Sequence, residues 1–171
     1  SYVEYLERLE ASAIRLEFVD GYVYAMAGGT PEHNRVVMRL TLQVGAQLQD
    51  PCEAVGPDQK IRAPGAGYYP DLSIVCGELE RAEDDAHAVT NPTCVFEVLS
   101  PSTATTDQTT KADRYKALAS LRAYILVWQP EQRVQVHRRT GDAWKVEEHG
   151  PGDIIDLPCH AQLDVAALYR A

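Results

Sequence analysis

The spacing of apolar positions along the chain changes from helical to strand-like and back. Val3 to Leu9 carry a short amphipathic helix. RLEFV and YVYAM alternate as two strands on either side of Asp20-Gly21, a favoured type I′ turn pair. GGT leads into a helix with Thr30 as N-cap and Pro31 at its first position. There His33, Val37, Leu40, Val44 and Leu48 recur at steps of three or four and form one inward stripe. Short strands are expected near residues 53–55 and 59–62, and PGAGYYP is a turn-rich break. DLSIVC and CVFEVLS read as strands, and GELERAEDDAHAVTNP between them as a long polar loop with at most one helical turn. SPSTATTD caps a helix over about residues 107–119. AYILVWQ, RVQVHRR and WKVEEH follow as strands, the last two antiparallel, and GDIIDLP and a helix over LDVAALYR finish the chain. This order predicts an α/β (α+β) fold, a mixed β-sheet flanked by helices, as one domain over residues 1–171.

Two of these strands each carry one carboxylate. Asp71 follows Pro70 at the start of PDLSIVC, and Glu97 stands in the middle of CVFEVLS. Alternation puts Glu97 on a face with Val95 and Leu99, and Phe96 and Val98 on the other. Both strands are apolar on both faces, as in a sheet covered on each side, so neither acid belongs to a solvated face. A buried charge must be paired, neutralised or bound to a metal. If the strands are neighbours, the acids converge, and a divalent cation would relieve their repulsion. On the next helix Lys111, Tyr115 and Leu118 share one face, from which Lys111 could steady an attacking water or a developing negative charge.

Plainer readings stand beside these. Glu97 could be held by backbone amides or an arginine, and Asp71 could cap a turn. Lys111 could pair with Asp107, four residues earlier, on a helix surface. Glu17 could point outward from the hairpin, His33 could be a satisfied core histidine, and Tyr115 could simply pack. The run Glu83, Asp84, Asp85 reads as a solvated loop.

Composition narrows the classes. The 171 residues are 45% hydrophobic and 24% charged, the balance of a soluble globular protein. No apolar run approaches the ~20 residues of a membrane helix, and SYVEYLERLE lacks the basic-then-apolar pattern of a signal peptide. Cys52, Cys76, Cys94 and Cys159 form no CxxC pair. Cys76 and Cys94 read as small core residues, nothing demands a disulfide, and a reducing cytoplasm is the default location. The net charge of −9 speaks against tight non-specific nucleic-acid binding but leaves room for a local basic groove.

In their joint order, LEFVDGYVYAMAGGTPEHNRV, PDLSIVC, FEVLSPST, an Asp and a Lys on the following helix, and YILV resemble the Uma2 (DUF820) family of restriction-endonuclease-like proteins. The resemblance runs from about Glu17 to Arg138. It implies the PD-(D/E)XK nuclease superfold, a restriction-endonuclease-like core with a divalent metal, Mg2+ or Mn2+. It implies Asp71 and Glu97 as metal ligands, with the peptide carbonyl of Val98 as a further oxygen ligand. Leu99 stands where a standard nuclease of the superfold has its lysine; in Uma2 a lysine on the next helix substitutes, here Lys111. Glu17 and His33 match further family positions and would complete the site. The implied activity is endonucleolytic hydrolysis of DNA, by a homodimer if both strands are cut by two-fold-related sites. Two rivals remain. One is a catalytically silent module of the same fold that binds or regulates a partner, favoured by the net acidity and the displaced lysine. The other is a carboxylate-pair glycosidase, which the scattered 8% of aromatic residues does not suggest.

Overall fold

The computed structural model describes residues 1–26, 28–100 and 104–170. Pro101 to Thr103 of the expected SPST loop, and Ala27 of the Met-Gly-rich turn, lie outside the described residues. Two six-stranded mixed sheets and a small hairpin carry the fold.

The N-terminal helix α1 (Tyr2–Glu10) is closed by a capping box between Ser1 and Glu4. Strands β1 (Leu16–Val19) and β2 (Tyr22–Ala25) form the expected hairpin. Asp20 and Gly21 both take positive φ, 46° and 93°, as a type I′ turn requires. Helix α2 (Pro31–Gly45) starts as predicted, with Thr30 accepting from the His33 amide, and stops three residues short of Leu48, which still packs against the core. Next come β3 (Cys52–Val55), β4 (Lys60–Ala63), β5 (Ala66–Tyr68) and β6 (Leu72–Cys76).

The expected break PGAGYYP thus contains a strand. Gly65, at φ 71°, closes a tight turn that pairs Ala63 with Ala66. The polar run after β6 is also a strand pair, β7 (Arg81–Ala82) and β8 (Asp85–Val89), rather than a loop. Asp85 is buried there, and its carboxylate takes a hydrogen bond from the buried Lys60 ammonium at 2.6 Å. It is no solvated residue.

Strand β9 (Cys94–Leu99) is buried along its whole length. The following helix differs from expectation. It begins as α3 (Ala104–Thr106), widens into a π-helical turn over Asp107–Lys111, and ends as α4 (Ala112–Lys116). β-branched threonines weaken the α ladder here. Thr109 Oγ1 donates to the Thr105 carbonyl at 2.7 Å and Gln108 Nε2 to that of Ala104 at 2.9 Å, competing with the main chain. Strands β10 (Ala123–Trp128), β11 (Val134–Thr140) and β12 (Ala143–His149) follow as predicted, the last two antiparallel. The C-terminus is a hairpin, β13 (Ile154–Asp156) with β14 (Gln162–Asp164), then a 3₁₀ turn at Ala166–Leu168 where a helix was expected.

The first sheet runs β2-β1-β5-β4-β8-β7 and the second β12-β11-β10-β9-β6-β3. One core joins α2, one face of the second sheet and the C-terminal hairpin, through Leu40, Phe96, Ile125 and Leu163. The other lies between the two sheets and α4, through Tyr68, Val95, Tyr115 and Leu126. β9 therefore faces apolar layers on both sides, as its sequence predicts. In β3–β6, Cys52 stands opposite Cys76 and is joined to it by a disulfide, so Cys76 is not the free core thiol it was read as. Among the described residues no helix is long and apolar enough to cross a membrane.

Candidate active site

β6 and β9 are antiparallel neighbours in the order Leu72↔Phe96, Ser73↔Val95, Ile74↔Cys94. Continued by one step, that register sets Asp71 opposite Glu97. The Asp71 carboxylate turns toward the strand end, where Oδ2 accepts from the Val98 amide at 2.7 Å. His33, in the first turn of α2, meets the same point. Its Nε2 donates to the Val98 carbonyl at 3.0 Å and lies 3.4 Å from Asp71 Oδ2. Hydrogen bonding to Asp71, against the cost of burial, holds the His33 imidazolium above the ordinary histidine range. Gly29 makes room for the ring: a Cβ there would come 2.8 Å from His33 Nδ1.

On the other face of β9, Glu97 enters a second group of polar residues inside the inter-sheet core. Lys111 Nζ stands 3.4 Å from Glu97 Oε1, 3.3 Å from Glu17 Oε1 and 3.3 Å from Asp107 Oδ1. The Tyr115 hydroxyl donates to Glu97 Oε1 at 3.3 Å. Glu17 reaches in from β1 and also accepts the Tyr69 amide at 3.0 Å, which ties the first sheet to the site. The Tyr124 hydroxyl donates to the Asp107 carbonyl at 2.9 Å and steadies the π-turn that carries Asp107 and Lys111. Such turns often occur at functional sites.

Burial is the largest influence on Glu97 and pushes its carboxyl well above the usual carboxylate range; Lys111 opposes this, while Asp107, Asp71 and Glu17 add to it. Burial works against the Lys111 ammonium, yet Glu97, Glu17 and Asp107 together hold it above the ordinary lysine range. Lys111 is therefore a fixed positive charge and Glu97 the acid short of compensation. Exposure differs across the site. The Asp71 side chain is 17% exposed and Glu97 6%, so the Asp71–His33 side is the more open to solvent.

The six residues singled out in the sequence thus gather around the end of β9. Glu17 does not point outward, and His33 is largely buried with its Nε2 on the Val98 carbonyl beside Asp71. Among the described residues no arginine pairs with Asp71 or Glu97. The Asp107–Lys111 pair exists but is buried rather than on a helix surface. Two participants were underrated: Asp107, read only as a surface partner, and Tyr115, read as packing. Asp107, Lys111 and Tyr115 recur at steps of four, and that spacing was the available signal.

A divalent cation suits this donor set. Mg2+ commonly takes one or two carboxylates and keeps several waters, without an all-protein cage. Among the described residues no three His, Cys, Asp or Glu side chains form such a cage, whereas the Asp71 carboxylate and the Val98 carbonyl meet at the end of β9 and Glu97 lies near enough for Asp71 to push its carboxyl upward. The excess of acid around Glu97 is the feature a cation would relieve.

Comparison with known proteins supports the architecture. The family model for Uma2, described as "Putative restriction endonuclease", matches residues 2–167. The chain is 31% identical over 149 residues to an uncharacterized Synechocystis protein, sll1609, covering 85% of this chain and 84% of that one. It is 30% identical over 158 residues to a second, slr1290, covering 90% and 82%. A crystal structure titled a putative nuclease belonging to DUF820, from Anabaena variabilis, superposes with a TM-score of 0.75 at 17% identity, covering 92% of this chain and 91% of that one, a likeness of fold. The chain belongs to the Uma2 family of restriction-endonuclease-like proteins and has its mixed α/β nuclease fold.

Proposed function

We propose that this protein is a divalent-cation-dependent endodeoxyribonuclease. Asp71, Glu97 and the Val98 carbonyl would hold Mg2+ or Mn2+. Bound there, the ion would supply Lewis-acid polarisation of a phosphoryl oxygen and activation of water. The observation that carries the reading is the buried Glu97 carboxylate, on the strand next to the one that Asp71 precedes and beside a caged lysine.

The chain's own residues have separable roles. Lys111 is held as an ammonium among its acids; it stabilises the negative charge that grows on the phosphate as water adds to phosphorus and loses its proton to solvent, and the departing oxygen takes a proton from solvent as its P–O bond breaks. Glu17 and Asp107 position Lys111, and Tyr115 fixes one oxygen of Glu97. His33 holds Asp71 and the Val98 carbonyl in place at the strand end. Leu99 is buried in the inter-sheet core, so no lysine acts from that position. A cytoplasmic homodimer, one site per DNA strand, is the setting that fits this reading.

Plasmid DNA incubated with Mg2+ tests the proposal. Asp71→Ala and Glu97→Ala should each abolish cleavage while circular dichroism stays that of the parent. Cleavage at the parental rate by either variant contradicts it. The silent-module reading draws on the net charge of −9. Calorimetry separates the two: Mg2+ or Mn2+ binding below millimolar concentration at neutral pH favours the nuclease, and its absence the module.

A further inference from the structure

β12 is an outer strand of the second sheet, and among the described residues only β11 pairs with it. At seven residues it is longer than the other outer strands of the two large sheets, β2, β3 and β7. Its neighbour fixes which way its backbone groups point. The Arg139 amide donates to the Arg122 carbonyl, away from β12, at 2.9 Å. Backbone groups alternate sides along a strand, so Arg138 and Thr140 face β12 and bond their partners Lys145 and Ala143. Trp144, Val146 and Glu148 therefore aim their N–H and C=O groups at the open edge. Such a row is a template for another strand.

The strand, AWKVEEH, is complementary to itself. Val146, 51% exposed, is its midpoint. A second copy related by a two-fold axis through Val146 runs antiparallel to the first and overlaps all seven residues. Val146 then faces Val146, Trp144 faces the partner's Glu148, and Lys145 faces the partner's Glu147 on both sides of the axis. Moving the axis by one residue sets Lys145 against Lys145 or Glu147 against Glu147, and like charges directly opposed are destabilising. The charges therefore select one register. Arg138 holds Glu147 Oε2 at 3.3 Å, which leaves Oε1 for a lysine. Within one chain Lys145 takes that oxygen at 3.2 Å, and its side chain, 66% exposed, is free to turn across the edge instead.

We infer that the open edge of β12 is a homodimer interface, paired with β12 of a second copy of this chain about a two-fold axis at Val146, so that the two second sheets become one of twelve strands. The contact is isologous, the same patch on both copies. It gives the homodimer of the nuclease reading a definite surface, yet it stands on the edge strand alone. β10 and β11 lie between β12 and β9, so the candidate active site stays uncovered.

Sedimentation velocity across a concentration series tests it. The parent should sediment as a dimer that dissociates on dilution. Lys145→Glu and Glu147→Lys should each weaken self-association about tenfold or more, because each sets like charges opposite one another twice. Mixed in equal amounts, the two variants should associate about as tightly as the parent, since every opposed pair then has opposite signs. That recovery separates a lost contact from a lost fold. A parent that stays monomeric at every concentration overturns the interface, as does a dimer that both variants leave unweakened or a mixture that fails to associate. A monomeric parent whose Mg2+-dependent cleavage is lost in Asp71→Ala removes this interface and leaves the catalytic assignment standing.

Discussion

At the scale of single residues, the site is a problem in charge. Lys111 is buried among Glu17, Glu97 and Asp107, and each of them depends on it. Removing one member of a buried ionic group leaves the rest uncompensated, which costs far more than losing a surface pair. Lys111→Ala should therefore lower unfolding free energy by roughly 3–5 kcal/mol in a urea titration. A loss below about 1 kcal/mol, the scale of an exposed pair, would mean that the lysine is solvated. The acids on strands were legible in the sequence because a carboxylate in an apolar β run has few ordinary explanations. Asp107 and Tyr115 were not, because helical spacing looks the same whether the face meets water or a core. Only the second sheet, packed over the π-turn, decides that Asp107 is inside.

At the scale of elements, the strongly periodic segments were read correctly and the weakly marked ones were not. The β1–β2 turn, the start of α2 and the strands β6, β9, β10, β11 and β12 all follow from pattern and turn chemistry. The β7–β8 pair was hidden because its buried positions are Ala82, Asp85, Ala88 and Val89, small or charged side chains that carry little apolar signal. What holds β8 to β4 is partly ionic: Lys60 and Asp85 are each 3% exposed and also contact Tyr2, whose hydroxyl donates to Asp85 at 2.8 Å. Asp84, next in sequence, pairs with Arg62 but is 48% exposed. Asp85→Asn should therefore destabilise the protein by about 3 kcal/mol or more, and Asp84→Asn by no more than about 1 kcal/mol, in parallel thermal melts. Equal effects would contradict the buried anchoring of this hairpin. The helix expected over residues 107–119 is present but opens earlier, at Ala104, and its first turns widen to π geometry where threonine side chains compete for backbone carbonyls.

At the scale of the whole molecule, two sheets enclose one core while α2 closes the other side of the second sheet, and β9 runs through both layers. That placement sends Glu97 to one side and the His33–Val98 contact to the other, joined by a single peptide. Asp71, at the end of the neighbouring strand, is where the two halves meet solvent. The arrangement explains how an acidic chain can present a concentrated set of oxygen donors without a broad basic surface. The most direct test of the account is a crystal soaked in Mn2+ and measured for anomalous scattering. The account predicts one strong peak between the Asp71 and Glu97 carboxylates, next to the Val98 carbonyl, and its loss in Glu97→Ala crystals. A soaked crystal with no peak there, and Lys111 still filling the space among the acids, would contradict it.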